Sequence, residues 1–161
     1  MTPDLLTDAE ALLTRCRNRG LKLATAESCT GGMIGATLTA ISGSADVFEC
    51  GFITYSIEAK IGMLGIPASL VEEAGAVSEE VARAMAEAAL ERSRADWAIS
   101  VTGIAGPTGG SIDKPVGLVW FGLAGRGGKP STERQVFPGD RSQIRIATVA
   151  RSFALLREAL D

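Results

Sequence analysis

The sequence contains no histidine, and this absence limits its chemistry more than any other feature of its composition. Serine–histidine–aspartate catalysis, cysteine–histidine catalysis and histidine-based metal sites are all excluded. If the protein is an enzyme, lysine, tyrosine or a carboxylate must move its protons. Only one tyrosine is present, Tyr55.

Cysteine is scarce as well. The chain has three cysteines, Cys16, Cys29 and Cys50, and their odd number and spacing fit no zinc-binding pattern. Reduced thiols in a cytosolic protein are the simplest interpretation.

Long apolar runs and clusters of basic residues are also missing. No run reaches the roughly 18–20 apolar residues that a membrane-spanning helix needs, and the acidic N-terminus lacks the basic start of a secretory signal. The net charge is -3, without the basic face that is typical of nucleic-acid binders. We therefore expect a cytoplasmic protein whose partners include neither membranes nor nucleic acid. A small anion held by one or two arginines is compatible with this composition.

What is present is typical of a single globular α/β domain over residues 1–161. The chain is 46% hydrophobic and 22% charged. Apolar periodicity and turn residues predict strands at 21–26, 47–56, 97–101, 116–123 and 133–137. They predict helices between Thr2 and Gly20, at 33–41, 57–64, 68–74 and 79–94, and after Asp140. This alternation indicates a three-layer α/β/α sandwich, and the late strand–loop–strand run indicates a mixed sheet.

The first stretch with chemical potential runs from Ala26 to Gly32, where a predicted strand ends and a helix begins. The first N–H groups of a helix lack internal partners and lie at its electropositive end. Gly31 and Gly32 let a substrate approach the backbone closely. The turn is suited to stabilise an oxyanion or to bind a phosphate. The alternative is an ordinary N-cap, in which Ser28 or Thr30 accepts one N–H bond.

The second stretch pairs Tyr55, at the end of a predicted strand, with Lys60 on the following helix. Burial disfavours an ammonium ion, so the pKa of a buried lysine falls. A neutral lysine can take the proton of a serine hydroxyl, as in serine–lysine catalysis. The alternative is a surface lysine and a core tyrosine.

The third stretch is a glycine-rich loop from Thr102 to Lys114, which follows a strand that we expect to be central. Such loops present backbone amides to anions, and this one contains Gly103, Gly106, Gly109 and Gly110. It matches neither a P-loop nor a dinucleotide-binding fingerprint. The alternative is a structural crossover loop.

A fourth, weaker element is the pair Arg141 and Arg145 at the start of the last helix. Residues four apart share a helix face, and the planar guanidinium fork suits a phosphate. The alternative is a solvated face with Asp140 as the N-cap.

Taken together and in this order, these stretches resemble the CinA C-terminal-domain family. The resemblance covers nearly the whole chain and rests on residues 26–32, Tyr55 and Ser56 with Lys60, 75–78, 103–107, Gly109 and Gly110, 114–117, and 139–141 with Arg145. The chain is similar to the stand-alone form, without the separate N-terminal domain of many members. The resemblance implies hydrolysis of the carboxamide of nicotinamide mononucleotide to nicotinic acid mononucleotide and ammonia. It also implies a homodimer that uses no metal and no cofactor.

The resemblance further implies roles for single residues. Ser28 matches the nucleophile, while Lys60 and Tyr55 match the residues that transfer protons. We expect N–H groups of Thr30, Gly31 and Gly32 to stabilise the oxyanion. The remaining candidates are Thr102 as a hydrogen-bonding assistant, and Arg141, Arg145 and the glycines at 103, 106, 109 and 110 as ligands of the phosphate and ribose.

Three alternatives stay open at this point. Cys29, next to Ser28, competes for the role of nucleophile, because thiolates at helix N-termini are activated. Ile57 stands where the family commonly has asparagine; it weakens activity if that asparagine touches the ligand, and costs only ~1 kcal/mol if it is a local cap. The chain is alternatively a non-catalytic pyridine-nucleotide-binding module or a competence- or damage-associated protein.

Overall fold

The computed structural model describes residues 1–161, with five strands and six α-helices. The strands are β1 (Leu23–Glu27), β2 (Phe48–Ile53), β3 (Trp97–Gly103), β4 (Leu118–Gly125) and β5 (Ser131–Val136). The helices are α1 (Pro3–Asn18), α2 (Met33–Thr39), α3 (Ile57–Leu64), α4 (Ala68–Ala74), α5 (Glu79–Glu91) and α6 (Arg141–Ala159). A short 3-10 turn at Ser44–Asp46 precedes β2.

The strands form one mixed sheet in the order β2-β1-β3-β4-β5. β1 runs parallel to both β2 and β3, whereas β4 runs antiparallel to both β3 and β5. The short turn between β4 and β5 permits only antiparallel pairing, because a parallel pair needs a long crossover. The predicted mixed sheet is confirmed.

Helices cover both faces of this sheet, which confirms the three layers. One buried cluster packs the sheet against α1, α2 and α6 and includes Leu12, Ile34 and Phe153. The other packs the opposite face against α3, α4 and α5 and includes Leu64, Val71 and Met85. None of the six helices combines the length and apolar character that crossing a bilayer requires.

The helix bounds at 57–64 and 68–74 agree with the sequence prediction, whereas several strand bounds differ. β3 continues two residues beyond the prediction, because Thr102 and Gly103 still pair with Trp120 and Val119 of β4. Thr102 and Gly103 therefore belong to the central strand and not to the following loop. β2 stops at Ile53, where its partner β1 ends at Glu27.

The carboxyl ends of the parallel strands β1, β2 and β3 meet at one edge of the sheet. Loops at such an edge are the usual place for ligand sites in α/β folds. Ser28 directly follows β1, and Tyr55 lies two residues after β2. The topology thus brings the first two candidate stretches together.

Candidate active site

Ser28 and Lys60 form the centre of the site. The amine nitrogen of Lys60 lies 3.0 Å from Oγ of Ser28 and donates to the carbonyl of Thr54 at 2.7 Å. Lys60 is only 1% exposed and Ser28 8% exposed. Ser56 caps α3 by accepting a hydrogen bond from the backbone N–H of Ala59, which fixes the helix that carries Lys60. The alternative of a surface lysine is wrong.

The surroundings of Lys60 disfavour its charged form. Burial lowers the pKa of Lys60 below its usual value of 10.5, and none of the eight ion pairs of the chain includes it. A neutral amine keeps one N–H on the carbonyl of Thr54 and has a lone pair to accept the proton of Ser28. The contact is therefore suited to activate the serine.

Two of the four backbone N–H groups in the turn after Ser28 are already hydrogen-bonded. The N–H of Gly31 donates to the carbonyl of Ser28, and the N–H of Gly32 donates to the carboxylate of Glu27. The expectation that these two amides are free for an oxyanion is therefore not met. The N–H groups of Cys29 and Thr30 donate to no other residue. Thr30 is fully buried whereas Cys29 is 5% exposed, so the N–H of Cys29 is the better placed of the two to meet a substrate oxygen.

Cys29 is placed poorly for nucleophilic chemistry. Its side chain is buried in the core cluster on the α1, α2 and α6 side. Burial raises the pKa of the Cys29 thiol to about 11, so the thiol is protonated near neutral pH. Since the thiolate is the reactive form, this environment favours Ser28 as the nucleophile.

Tyr55 and Arg141 meet on the open side of the site. Nη2 of Arg141 donates to the hydroxyl of Tyr55 at 3.0 Å, and its Nη1 donates to the carbonyl of Gly106 at 2.9 Å. Tyr55 is 60% exposed, so the alternative of a core tyrosine is wrong, and the ring is not desolvated as a buried base would be. Beside this contact lies a cavity of about 410 Å³, lined by Ala105, Pro107, Val116, Gly139, Asp140, Arg141 and Ser142.

Arg145 binds the nucleophile turn directly. Its Nε donates to the carbonyl of Cys29 at 3.2 Å, and its Nη2 donates to the carbonyl of Thr30 at 2.8 Å. Asp140 caps α6 in a capping box with Gln143, as the sequence predicts for the cap. Arg141 and Arg145 thus both contact residues of the site, Arg145 half-buried and Arg141 still exposed to solvent.

The glycine-rich loop is packed closely against its own C-terminal part. A Cβ at Gly106 or Gly110 would lie 2.5 Å or 2.8 Å from atoms of Val116. The two glycines are therefore required by packing, whether or not a ligand binds. Thr102 donates to the carbonyl of Ala76 at 2.7 Å, and the structure does not bring it into hydrogen-bond contact with Ser28 or Lys60.

Known proteins are similar to this chain in both sequence and fold. The model of the CinA C-terminal domain matches residues 6–160. The chain belongs to the CinA C-terminal domain family. The crystal structure of competence/damage inducible protein CihA from Agrobacterium tumefaciens superposes with a TM-score of 0.96 at 43% identity, over 99% of this chain and 97% of that one.

Curated members of the family differ in length. The chain is 45% identical over 153 residues to "Nicotinamide-nucleotide amidohydrolase PncC" of Escherichia coli strain K12, covering 95% of this chain and 93% of that protein. It is 49% identical over 150 residues to "CinA-like protein" of Akkermansia muciniphila, covering 93% of this chain and 36% of that protein. The chain thus spans about a third of the longer CinA-like relatives.

One residue of this family member was missed by sequence reasoning. The carboxylate of Glu27 is buried beside the nucleophile turn and accepts four hydrogen bonds from it and from the start of α2. The available signal was a carboxylate that ends an otherwise apolar strand, directly before Ser28.

Proposed function

We propose that this chain hydrolyses the carboxamide of nicotinamide mononucleotide to nicotinic acid mononucleotide and ammonia. The observation that carries the proposal is the contact between Ser28 and the buried amine of Lys60. The names of near full-length relatives, such as "Nicotinamide-nucleotide amidohydrolase PncC" of Enterobacter agglomerans at 49% identity, support the substrate class.

The first half of the reaction forms an acyl-enzyme. Neutral Lys60 accepts the proton of Ser28 while Oγ attacks the carboxamide carbon. The N–H group of Cys29, which donates to no other residue, stabilises the oxygen that becomes negatively charged. Lys60 then passes its proton to the amide nitrogen, the carbon–nitrogen bond breaks, and ammonia leaves.

The second half returns the enzyme to its starting state. Lys60 takes a proton from water, and the resulting hydroxide attacks the ester carbon. The bond between the acyl carbon and Oγ breaks, and Ser28 recovers its proton from Lys60. One water is consumed for each ammonia released. The exposure of Tyr55 and its contact with Arg141 favour a role in substrate binding over proton transfer.

The rest of the nucleotide lies on the side of Arg141. Its guanidinium donates only to a phenol and a carbonyl, both uncharged, so a phosphate dianion is a stronger acceptor for it. Arg145 has Nε and Nη2 engaged with the turn, which leaves Nη1 for the phosphate. The volume of the adjoining cavity lies within the range of small-molecule sites.

We also propose that the protein acts as a homodimer, as its resemblance to the family implies. Light scattering after size-exclusion chromatography tests this directly, and a single monomer mass at assay concentration would contradict it.

The deciding experiment measures ammonia release from nicotinamide mononucleotide by purified protein, with Ser28→Ala and Ser42→Ala beside it. Ser42 is an exposed serine after α2 and serves as the matched control. We expect release by wild type and Ser42→Ala and none by Ser28→Ala. Mass spectrometry of the quenched reaction should show the acyl adduct on Ser28.

The other outcomes are equally informative. Release that persists in Ser28→Ala keeps the amidase activity and discards this nucleophile. Saturable nucleotide binding without release by wild type would favour the non-catalytic alternative.

A further inference from the structure

The Glu27 carboxylate organises the backbone around the nucleophile. Its Oε2 accepts from the hydroxyl of Thr30 at 2.6 Å and from the N–H groups of Gly32 and Ile34, both at 3.0 Å. Its Oε1 accepts from the N–H of Gly35 at 2.9 Å. One side chain thus ties the end of β1 to the turn and to the first residues of α2.

These contacts are unusual for a buried acid. Glu27 is 1% exposed and takes part in none of the eight ion pairs of the chain. An unpaired buried carboxylate is costly unless hydrogen bonds satisfy it. Three of the four donors to Glu27 are backbone N–H groups and the fourth is the hydroxyl of Thr30, so the carboxylate is the acceptor in every contact.

The same contacts decide which amides remain free. Glu27 occupies the N–H groups of Gly32, Ile34 and Gly35, so they are unavailable for an oxyanion. On the opposite side, Arg145 holds the carbonyls of Cys29 and Thr30. The carbonyl of Cys29 shares its peptide group with the N–H of Thr30, and the carbonyl of Ser28, which accepts from Gly31, shares its peptide group with the N–H of Cys29. Both peptide groups are therefore held in place, and neither N–H donates to another residue.

We propose that Glu27 is a positioning residue that sets the geometry of Ser28 and of the backbone N–H group of Cys29 next to it. This inference rests on the serine chemistry of the proposed function but not on the identity of the substrate. Glu27 itself touches neither Ser28 Oγ nor Lys60 through a hydrogen bond.

The sharpest variant is Glu27→Gln, which keeps the shape of the side chain. A glutamine has one acceptor oxygen, and its NH₂ group must then face at least one backbone N–H. The turn shifts to relieve this contact between two donors. Oxyanion stabilisation depends on exact placement of its donors, and losing one lowers kcat by ~10²–10³-fold in a serine hydrolase.

Glu133→Gln is the matched control, because it makes the same chemical change at a structural carboxylate. Glu133 lies on the edge strand β5, on the far side of β4 from β3, and is paired with Arg151. Three readouts are compared for both variants: kcat and KM for ammonia release, the rate at which diisopropyl fluorophosphate modifies Ser28, and the melting temperature.

We expect Glu27→Gln to lower kcat by ~10²-fold with KM little changed, and to slow the modification of Ser28 to a similar degree. Glu133→Gln should keep both rates at the wild-type level, even where it lowers the melting temperature as much as Glu27→Gln does. If Glu27→Gln keeps both rates as well, Glu27 is only a structural cap and the inference is overturned.

Two further results remain decisive. If Glu27→Gln does not fold, Thr30→Val removes only the hydroxyl donor to Glu27; a drop in both rates supports the inference, and unchanged rates overturn it. If wild type releases no ammonia, the proposed substrate fails. The modification rate of Ser28 in Glu27→Gln then decides the positioning role by itself.

Discussion

The amine of Lys60 lies 2.7 Å from the carbonyl of Thr54, six residues earlier in the chain. This carbonyl accepts an N–H from the neutral amine as well as from the ammonium, so it holds the nitrogen against Ser28 in both protonation states. The lysine therefore needs no carboxylate partner, which would favour its charged form. A base that returns its proton in each half of the cycle benefits from such a neutral anchor.

Replacing Lys60 with methionine tests the base. Lys60→Met keeps the length of the buried side chain and removes the amine, so we expect kcat to fall by ~10²–10⁴-fold. Because Lys60 has no charged partner, Lys60→Met leaves no unpaired charge buried in the protein. The free energy of unfolding should therefore fall less than when one partner of a buried ion pair is removed. Lys129→Met, at an exposed position, is the control for the assay. Retained activity in Lys60→Met would exclude Lys60 as the base.

The pH dependence of activity follows from the lowered pKa of Lys60. The base acts when neutral, so kcat/KM should rise with pH through the pKa of Lys60 in the free enzyme. Because burial lowers this pKa, the rise should be centred below 10.5. A profile of kcat/KM against pH measures it, and a rise centred at or above 10.5 would contradict the burial argument.

The same shift has a defined effect on stability. Between the lowered folded-state pKa of Lys60 and its unfolded value of 10.5, the unfolded chain binds more protons than the folded one. The free energy of unfolding should therefore rise with pH across this window. Urea unfolding of wild type and Lys60→Met at several pH values isolates the effect. Equal slopes in the two proteins would contradict the prediction.

Cys29→Ala should keep activity, because the Cys29 thiol is protonated near neutral pH. We expect kcat and KM close to wild type and a loss of about 1–2 kcal/mol in the free energy of unfolding, since a buried core side chain is truncated. Cys16→Ala is the matched control, a second buried thiol whose pKa burial raises to about 11. Inactive Cys29→Ala beside active Ser28→Ala would reverse the choice of nucleophile.

The sequence predicted the layers, the mixed sheet and two helices to the residue, because those features follow from local periodicity and turns. The pairing of Ser28 with Lys60 followed from the resemblance to the family, and the structure places the two side chains in contact. The sequence did not predict which amides of the turn are free, since that depends on the long-range contact of Arg145 and on the carboxylate of Glu27. Nor did it predict the exposure of Tyr55, which depends on how the chain leaves the edge strand β2.

Arg141 should contribute to binding more than to turnover. A hydrogen bond to a charged group contributes about 1.5–3 kcal/mol, so Arg141→Met should raise KM for nicotinamide mononucleotide by ~10–100-fold with kcat little changed. Arg83→Met, which removes a guanidinium from a half-exposed ion pair on α5, is the control. Nicotinamide riboside, which lacks the phosphate, should show no such difference between wild type and Arg141→Met. An unchanged KM for the nucleotide would refute the phosphate role.

Ile57→Asn, which restores the residue common in the family, should change little. Ser56 already caps α3 by accepting a hydrogen bond from the N–H of Ala59, so the helix does not need a second cap from residue 57. Ile57 is 46% exposed, so its replacement removes little buried surface. We expect unchanged kcat/KM and a change in the free energy of unfolding within about 0.5 kcal/mol. Ser56→Ala should cost about 1 kcal/mol and also lower kcat, because the cap fixes the helix that carries Lys60. A large gain in kcat/KM for Ile57→Asn would show instead that the side chain at position 57 contacts the substrate.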